Sequence, residues 1–236
     1  MSSTGRGERL GGANDFYPTP AWCVQRLLEK WQPRPGTLVE PCVGDGAIVE
    51  AVNLHDLAQG WFTWGWFTCD IKSYPGFEPA LLGDFLSIDR DAFGGRDVSV
   101  VITNPPYILA EEFLRKSRTL YPKADLVFLL RIGFLCSEER LGFFADFGVP
   151  DLYFLPNRPS FGHGSDSSEY AWFIFPPIPQ KTGEVIVLDS TPRDVRHPKK
   201  LRGQKCPRVK KSSVDLEKQI ADLQRQLLAT REAACV

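Results

Sequence analysis

The sequence predicts an open, doubly wound α/β sheet with helices on both of its faces. Apolar, β-branched runs alternate along the chain with segments of helical periodicity, which is typical of parallel strands joined by helices. A glycine-rich turn joins the first predicted strand to the next helix, and the tetrapeptide Asn104-Pro-Pro-Tyr107 follows a β-branched strand. Both features place polar groups at the carboxyl edge of the sheet, where open α/β sheets bind ligands.

Composition predicts one folded body with a different C-terminal end. The chain has 236 residues, of which 43% are hydrophobic and 12% aromatic, enough to bury a sizeable core. Residues 1–14 are expected to form a flexible leader, 15–192 the main domain, 193–213 a basic linker and 214–236 an amphipathic helix. We find neither a signal-peptide pattern nor an apolar run of membrane-spanning length. We therefore expect a soluble, cytoplasmic protein with no membrane partner.

Charge is distributed unevenly along the chain. Residues 193–236 carry 12 Lys and Arg against 5 Asp and Glu, a net charge of +7, whereas residues 1–192 carry 16 against 24, a net charge of −8. A basic tail on an acidic body indicates either a polyanionic partner or an ordinary solvated tail. The six cysteines form no Cys-x-x-Cys pair and the three histidines are isolated, so we expect reduced thiols and no metal site.

The segment before the first strand contains two prolines and two aromatic residues within Asn14–Pro20. It leads into a predicted helix over Ala21–Trp31, with Thr19 as the expected N-cap and Pro20 at the first helical position. The alternative is that Thr19 and Pro20 only begin a capped helix. The density of aromatic and proline residues favours a shaped surface beside the site.

The first predicted strand, Thr37–Glu40, ends in a carboxylate. It continues through the turn Pro41–Gly46 into a helix over Ala47–Leu57, the order found in nucleotide-binding βα units. The turn lacks the Gly-x-Gly-x-x-Gly pattern, and Glu40 would repel a pyrophosphate. These residues therefore favour a cationic cofactor such as S-adenosylmethionine over NAD.

Two more acidic residues of the first half are candidates for contacts with a nucleoside. An aromatic-rich strand over Trp61–Cys69 ends at Asp70-Ile71, and a carboxylate there can accept hydrogen bonds from both ribose hydroxyls of a nucleoside. An aspartate that only stabilises a turn is the alternative. In Asp84-Phe85, the ring is able to face an adenine and the carboxylate its exocyclic amine, although this common dipeptide is a weak signal alone. The strand Val98–Ile102 then leads into the tetrapeptide.

The second half continues the alternation and ends in a predicted amphipathic helix. Helices are expected at 108–121 and 138–147, and strands at 124–130, 151–155 and 170–175, with an edge strand at 185–188. The loop 157–168 contains Arg158, Phe161 and His163 near the presumed active edge, or is an ordinary surface loop. In the tail, a 4-3-4 spacing of apolar residues predicts a helix that pairs in a homodimer or packs on the body, through Leu216, Ile220, Leu223 and Leu227.

Taken together, these motifs resemble the class I S-adenosylmethionine-dependent methyltransferases. Their order, with Tyr17-Pro-Thr-Pro20 first, then Glu40-Pro-x-x-Gly-x-Gly46 and later Asn104-Pro-Pro-Tyr107, is similar to that of DNA adenine-N6 methyltransferases, small phage and prophage members in particular. The resemblance covers roughly residues 14–176. It implies six parallel strands and an antiparallel seventh, Tyr170–Phe175 here.

The resemblance also implies roles for the site residues. Asn104 and Pro105 would accept hydrogen bonds from the target amine within the catalytic tetrapeptide, which includes Pro106, and Tyr107 would stack on the extruded base. Arg158 and Phe161 would contact the substrate. The cofactor S-adenosylmethionine would contact the tetrapeptide's Asn104 and a set from the first half of the chain: Tyr17, Thr19, Pro20, Glu40, Pro41, Gly44, Gly46, Asp70, Ile71, Asp84 and Phe85.

The sequence defines the type of nitrogen that would be methylated more closely than the molecule that carries it. The tetrapeptide suits any planar, conjugated nitrogen, so a protein glutamine amide or an RNA base amine are alternatives to DNA. A non-catalytic nucleic-acid-binding protein is a further alternative. The predicted body also has no room for a target-recognition region of the usual size, so the target sequence is undetermined.

Overall fold

The computed structural model describes residues 17–59, 65–89, 92, 97–161 and 168–196. The strands are β1 Thr37–Glu40, β2 Trp66–Asp70, β3 Leu81–Leu82, β4 Val98–Thr103, β5 Asp125–Arg131, β6 Asp151–Phe154, β7 Tyr170–Phe175 and β8 Val185–Val187. The helices are α1 Ala21–Leu28, α2 Ala47–Gln59, α3 Ala110–Leu120, α4 Leu141–Phe147 and α5 Arg193–Arg196. The predicted leader, most of the basic linker and the C-terminal helix with its homodimer seam lie outside the described residues.

These eight strands form one sheet in the order β3-β2-β1-β4-β5-β7-β6-β8. Every neighbouring pair is parallel except the two that involve β7, which runs antiparallel to β5 and β6. The antiparallel strand is therefore Tyr170–Phe175, as predicted. The sheet has eight strands where the resemblance implies seven, and the additional one is the two-residue strand β3, since the edge strand β8 matches the predicted one.

The strand order reverses beside β1. β2 and β3 extend the sheet on one side of β1, whereas β4 and β5 extend it on the other. The segments that leave the carboxyl ends of β1 and β4 therefore diverge, and a crevice forms between them at this edge.

Both faces of the central strands are buried, which explains their nearly continuous hydrophobic sequences. In β5, Leu126, Phe128 and Leu130 face one cluster, which also contains residues of α3 and α4. Val127 and Leu129 face the opposite cluster, which contains residues of α1 and α2. The period-2 alternation of a strand thus distributes one apolar run between two cores, and the doubly wound prediction is confirmed.

The predicted helix cap at Thr19 is wrong. Helix α1 begins at Ala21, and its N-cap is Pro20, which makes no side-chain cap hydrogen bond. The Thr19 hydroxyl instead accepts a hydrogen bond from the Asn104 side chain, at 3.1 Å. A contact distant in sequence has replaced the local one, and it ties the segment before α1 to the end of β4.

None of the helices in the described ranges is long and apolar enough to cross a membrane.

We expect Trp172→Phe to lower the free energy of unfolding by about 1–3 kcal/mol, measured by urea denaturation. The Trp172 indole is fully buried, and its Nε1–H donates to the Cys23 carbonyl at 2.9 Å, joining β7 to α1. The same change at half-buried Trp31 is the control and should cost less. Equal losses for both variants would contradict this role of the indole.

Candidate functional site

A cavity of about 260 Å³ opens at the carboxyl edge of the sheet, beside the reversal of strand order. The segment before α1 and the residues that follow β1, β2, β3 and β4 form its walls. The predicted site residues that line it are Tyr17, Thr19, Glu40, Pro41, Gly44, Asp70, Ile71, Asp84, Phe85, Asn104, Pro105 and Pro106. The sequence-predicted residues outside this lining are Pro20, Gly46, Tyr107, Arg158 and Phe161.

Hydrogen bonds fix the orientation of the Asn104 amide. Its Nδ2 donates to the Tyr17 carbonyl at 3.3 Å and to Thr19 Oγ1 at 3.1 Å. Because a backbone carbonyl only accepts, the amide nitrogen has to face Tyr17 and the amide oxygen has to face the opposite way. The Tyr107 hydroxyl donates to that oxygen at 3.1 Å, which leaves it capacity for one more donor.

Tyr107 lies in a group of aromatic rings next to the cavity. Its ring stacks on Tyr17 with a centroid distance of 6.2 Å and an interplanar angle of 27°. The Arg131 guanidinium carbon is 4.9 Å from the Tyr107 ring centroid, and Arg131 Nε donates to the Tyr170 hydroxyl. Phe161 is 4% exposed and packs edge-on against Tyr17 and Tyr170, so in this arrangement it supports the ring group from behind.

Glu40 is a buried carboxylate at the end of β1. It is 1% exposed, and its Oε2 has no hydrogen-bond partner among the described residues. Burial, followed by the charges of Asp45 and Asp70, raises the pKa of Glu40 well above its usual value, while the Val49 backbone N–H opposes this shift. Leaving such an oxygen unpaired costs stability, so the position suits a donor or cation supplied by a ligand.

The Asp70 carboxylate holds the glycine-rich turn against the tip of β2. Its Oδ2 accepts from Gly44 N–H at 2.9 Å, and its Oδ1 accepts from Lys72 N–H at 3.0 Å. Gly44 has φ of 54°, in the left-handed region that glycine tolerates. A sequence-predicted binding residue therefore also has a structural role, and each oxygen keeps one lone pair for a ligand.

Asp84 and Phe85 form the wall that follows β3. The Asp84 carboxylate accepts from Leu86 N–H at 2.9 Å and from the Ser87 hydroxyl at 3.0 Å, which caps a turn of 3₁₀ helix. The buried Phe85 ring stacks on Phe113 at 5.7 Å with an interplanar angle of 6°. Phe113 stiffens Phe85 from one side, and both rings line the cavity.

Tyr74 is a lining residue that was not predicted from the sequence. It lies in the loop after β2, where Tyr74 and Phe77 form an isolated antiparallel bridge across Pro75-Gly76. Burial raises the pKa of Tyr74. The signal in the sequence was this Pro-Gly turn between two aromatic residues, directly after a predicted ligand-binding strand tip. The other unpredicted lining residues are Pro18, Cys42, Val43, Asp45, Ala47, Ile48, Leu86, Leu109 and Phe113.

Gly46 lies outside the cavity lining and packs against a ring, while its contact with the cofactor stays a prediction. A Cβ at this position would lie 2.1 Å from Cδ2 of the Phe77 ring, and the φ of Gly46 is 82°. The close approach that requires glycine is therefore that of the Phe77 ring. The turn and the loop that carries Tyr74 are packed together through this contact.

The loop after β6 contributes less to the cavity than the other segments do. Exposed Arg158 forms an ion pair with Glu169 and lies outside the lining. Its contact with a substrate, like that of Phe161, stays a prediction. His163 lies outside the described residues.

Solved structures match the fold of this chain, whereas no protein-family model and no curated protein sequence matches it. One is a Listeria monocytogenes protein assigned to the class I S-adenosylmethionine-dependent methyltransferases, with TM-score 0.51 and 14% identity over 75% of this chain. The methyltransferase subunit of a type I restriction-modification system from Streptococcus thermophilus gives TM-score 0.52 and 13% identity over 75% of this chain. The M protein of the type I restriction enzyme EcoKI gives 0.50 and 14% over 73%.

The chain has the class I methyltransferase fold. The matched regions span 65% of the Listeria protein, 50% of the Streptococcus subunit and 48% of the EcoKI M protein. At 13–14% identity, these matches describe the arrangement of the sheet and helices and leave activity and substrate to the site itself.

We expect Gly46→Ala to lower the melting temperature by several degrees, measured by thermal unfolding, because it combines strain at positive φ with a clash against Phe77. Adding Phe77→Ala should recover part of the loss, because it removes the clash and leaves the strain. Gly83→Ala is the control, since nothing lies within 4 Å of its added Cβ. A Gly46→Ala variant as stable as Gly83→Ala would contradict the packing described.

Proposed function

We propose that this protein transfers a methyl group from S-adenosylmethionine to the N6 amine of adenine in DNA. The observation that carries the proposal is the oriented Asn104 amide, whose oxygen lies next to Tyr107 while Asn104, Pro105 and Pro106 line the cavity. The class I methyltransferase fold supports the reaction class. Two of the matched structures belong to restriction enzymes or restriction-modification systems, which favours DNA as the acceptor.

The cavity residues fit S-adenosylmethionine. The unpaired Glu40 oxygen suits the positive charge of the methionine end, Asp70 retains acceptor capacity for ribose hydroxyls, and Phe85 offers a ring face for adenine. The cofactor supplies an electrophilic sulfonium methyl group. The protein contributes binding and orientation, which account for much of the rate in such a displacement.

The acceptor residues address the weak nucleophilicity of the target. The lone pair of an exocyclic amine is delocalised into the ring, so the nitrogen is planar and a weak nucleophile. Hydrogen bonds from this amine to Asn104 Oδ1 and the Pro105 carbonyl favour a pyramidal nitrogen and stabilise the positive charge that develops during attack. Tyr17 and Thr19 assist by holding the Asn104 oxygen in place.

A target base has to leave the duplex to reach these acceptors, and Tyr107 provides a stacking surface for it. Arg131 covers the Tyr107 ring in this arrangement, so the base would displace the guanidinium group. A cation–π contact at an exposed site is worth about 0.5–1 kcal/mol, whereas base stacking on an aromatic ring contributes about 1–3 kcal/mol. Base stacking would therefore offset the loss of this cation–π contact. The basic residues of 193–213 are proposed to contact DNA phosphates.

The deciding experiment is incubation of the full chain with methyl-labelled S-adenosylmethionine and, separately, duplex DNA, single-stranded DNA, RNA and a protein extract. Nucleoside analysis of the labelled DNA should yield N6-methyladenine. Label found only in RNA or only in protein glutamine would assign the alternative acceptors. Binding of nucleic acid without any transfer would indicate a non-catalytic protein.

We expect Asn104→Asp and Asn104→Ala both to lower kcat by about 10²–10³, while the Kd of the cofactor changes less than about threefold. Aspartate keeps the shape but cannot donate to the Tyr17 carbonyl, so it should rotate away from the acceptor geometry. Methyl transfer and isothermal titration of the cofactor are the two measurements. The remote change Asn53→Asp, on α2, is the control and should leave kcat unchanged. Loss of cofactor affinity with normal turnover would contradict the assignment.

A further inference from the structure

The cavity has an unusual charge distribution. Among the described residues that line it, Glu40, Asp45, Asp70 and Asp84 are acidic, and none is Lys, Arg or His. Backbone N–H groups hydrogen bond with the Asp70 and Asp84 carboxylates. Glu40 differs from them, because it is 1% exposed and its Oε2 has no partner in the described part of the chain. A buried, unpaired carboxylate oxygen in a cavity wall favours a cation.

Two tyrosine rings add to this preference. Tyr17 and Tyr74 both line the cavity, with one face of the Tyr17 ring stacked on Tyr107, and aromatic rings attract cations, including large, weakly hydrated ones. The cavity therefore combines an uncompensated carboxylate with aromatic walls. That combination suits a ligand whose positive charge is spread over a bulky group.

We infer that this cavity selects its ligand by charge, binding S-adenosylmethionine at least about tenfold more tightly than the thioether product S-adenosylhomocysteine. The inference rests on the proposed cofactor. The two ligands share the adenosine, the amino group and the carboxylate, and they differ by one methyl group and the sulfonium charge. A preference for the charged form would let the product leave easily after transfer.

Proton release provides a second signature. The groups that face Glu40 are the carboxylates of Asp45 and Asp70 and the Cys42 thiol, with the Tyr74 phenol beside them, and none of these brings a positive charge. Burial, followed by the charges of Asp45 and Asp70, raises the pKa of Glu40 against the opposing effect of the Val49 backbone N–H, and a bound cation lowers this pKa further. Binding of the sulfonium should therefore release more protons than binding of the thioether, and the affinity for the sulfonium should rise with pH.

The test is isothermal titration of the full chain with S-adenosylmethionine, S-adenosylhomocysteine and adenosine, each in phosphate and in Tris. Comparison of the two buffers gives the number of protons released. Wild-type protein should prefer the sulfonium by tenfold or more and release more protons with it. Glu40→Gln should bring the preference close to unity, remove the difference in proton release and leave the affinity for adenosine unchanged. Glu50→Gln, exposed on α2, is the matched control and should behave as wild type.

The other outcomes separate this inference from the proposed function. Equal affinity of the wild-type protein for both ligands would overturn charge selection and leave the cofactor assignment intact. An equal loss for both ligands in Glu40→Gln would assign Glu40 to the shared amino group and also overturn the inference. Failure of both ligands and of adenosine to bind the wild-type protein would reject the proposed cofactor, and the inference with it.

Discussion

The pairing of β4 with β1, and not with β3, is the constraint on which the site depends. Because β2 and β3 occupy one side of β1, the chain has to cross back before β4 pairs on the other side. This crossing brings Glu40 and Asn104, which are distant in sequence, to neighbouring strand ends on the wall of one cavity. The same reversal keeps the connecting segments apart, which leaves room for the cavity at this edge.

The segment before α1 links the two halves of that cavity. Tyr17 and Thr19 line it and also hydrogen bond with the Asn104 amide, so a cofactor that contacts this segment would act directly on the acceptor residue. The stacked rings of Tyr17 and Tyr107 form a second connection between the two sides. A single layer of side chains therefore connects the segment before α1 with the end of β4.

The sequence was sufficient for features governed by periodicity and strand ends. The β-branched run of β4 and the apolar runs of β5 and β7 predict buried strands, and the predicted polar residues at the ends of β1, β2 and β4, which are Glu40, Asp70 and Asn104, line the cavity. The two-residue strand β3 is too short to show a period, so it was missed. The hydrogen bond between Thr19 and Asn104 could not be predicted, because Thr19 has an equally plausible local role as a cap and only the fold decides between them.

Carboxylates at three strand ends, those of Glu40, Asp70 and Asp84, differ in whether the protein itself satisfies their hydrogen bonding. Asp70 and Asp84 accept backbone N–H groups and so stabilise the turns that carry them. Glu40 has one oxygen without such a donor among the described residues. Leaving a buried polar atom unpaired lowers the free energy of unfolding by roughly 1–3 kcal/mol. An unpaired group of this cost is expected where a ligand completes the hydrogen bonding, and its position at the strand reversal is where the fold leaves room for that ligand. Glu40, the carboxylate that costs the fold the most stability, is therefore also the one whose surroundings say most about the charge of a ligand.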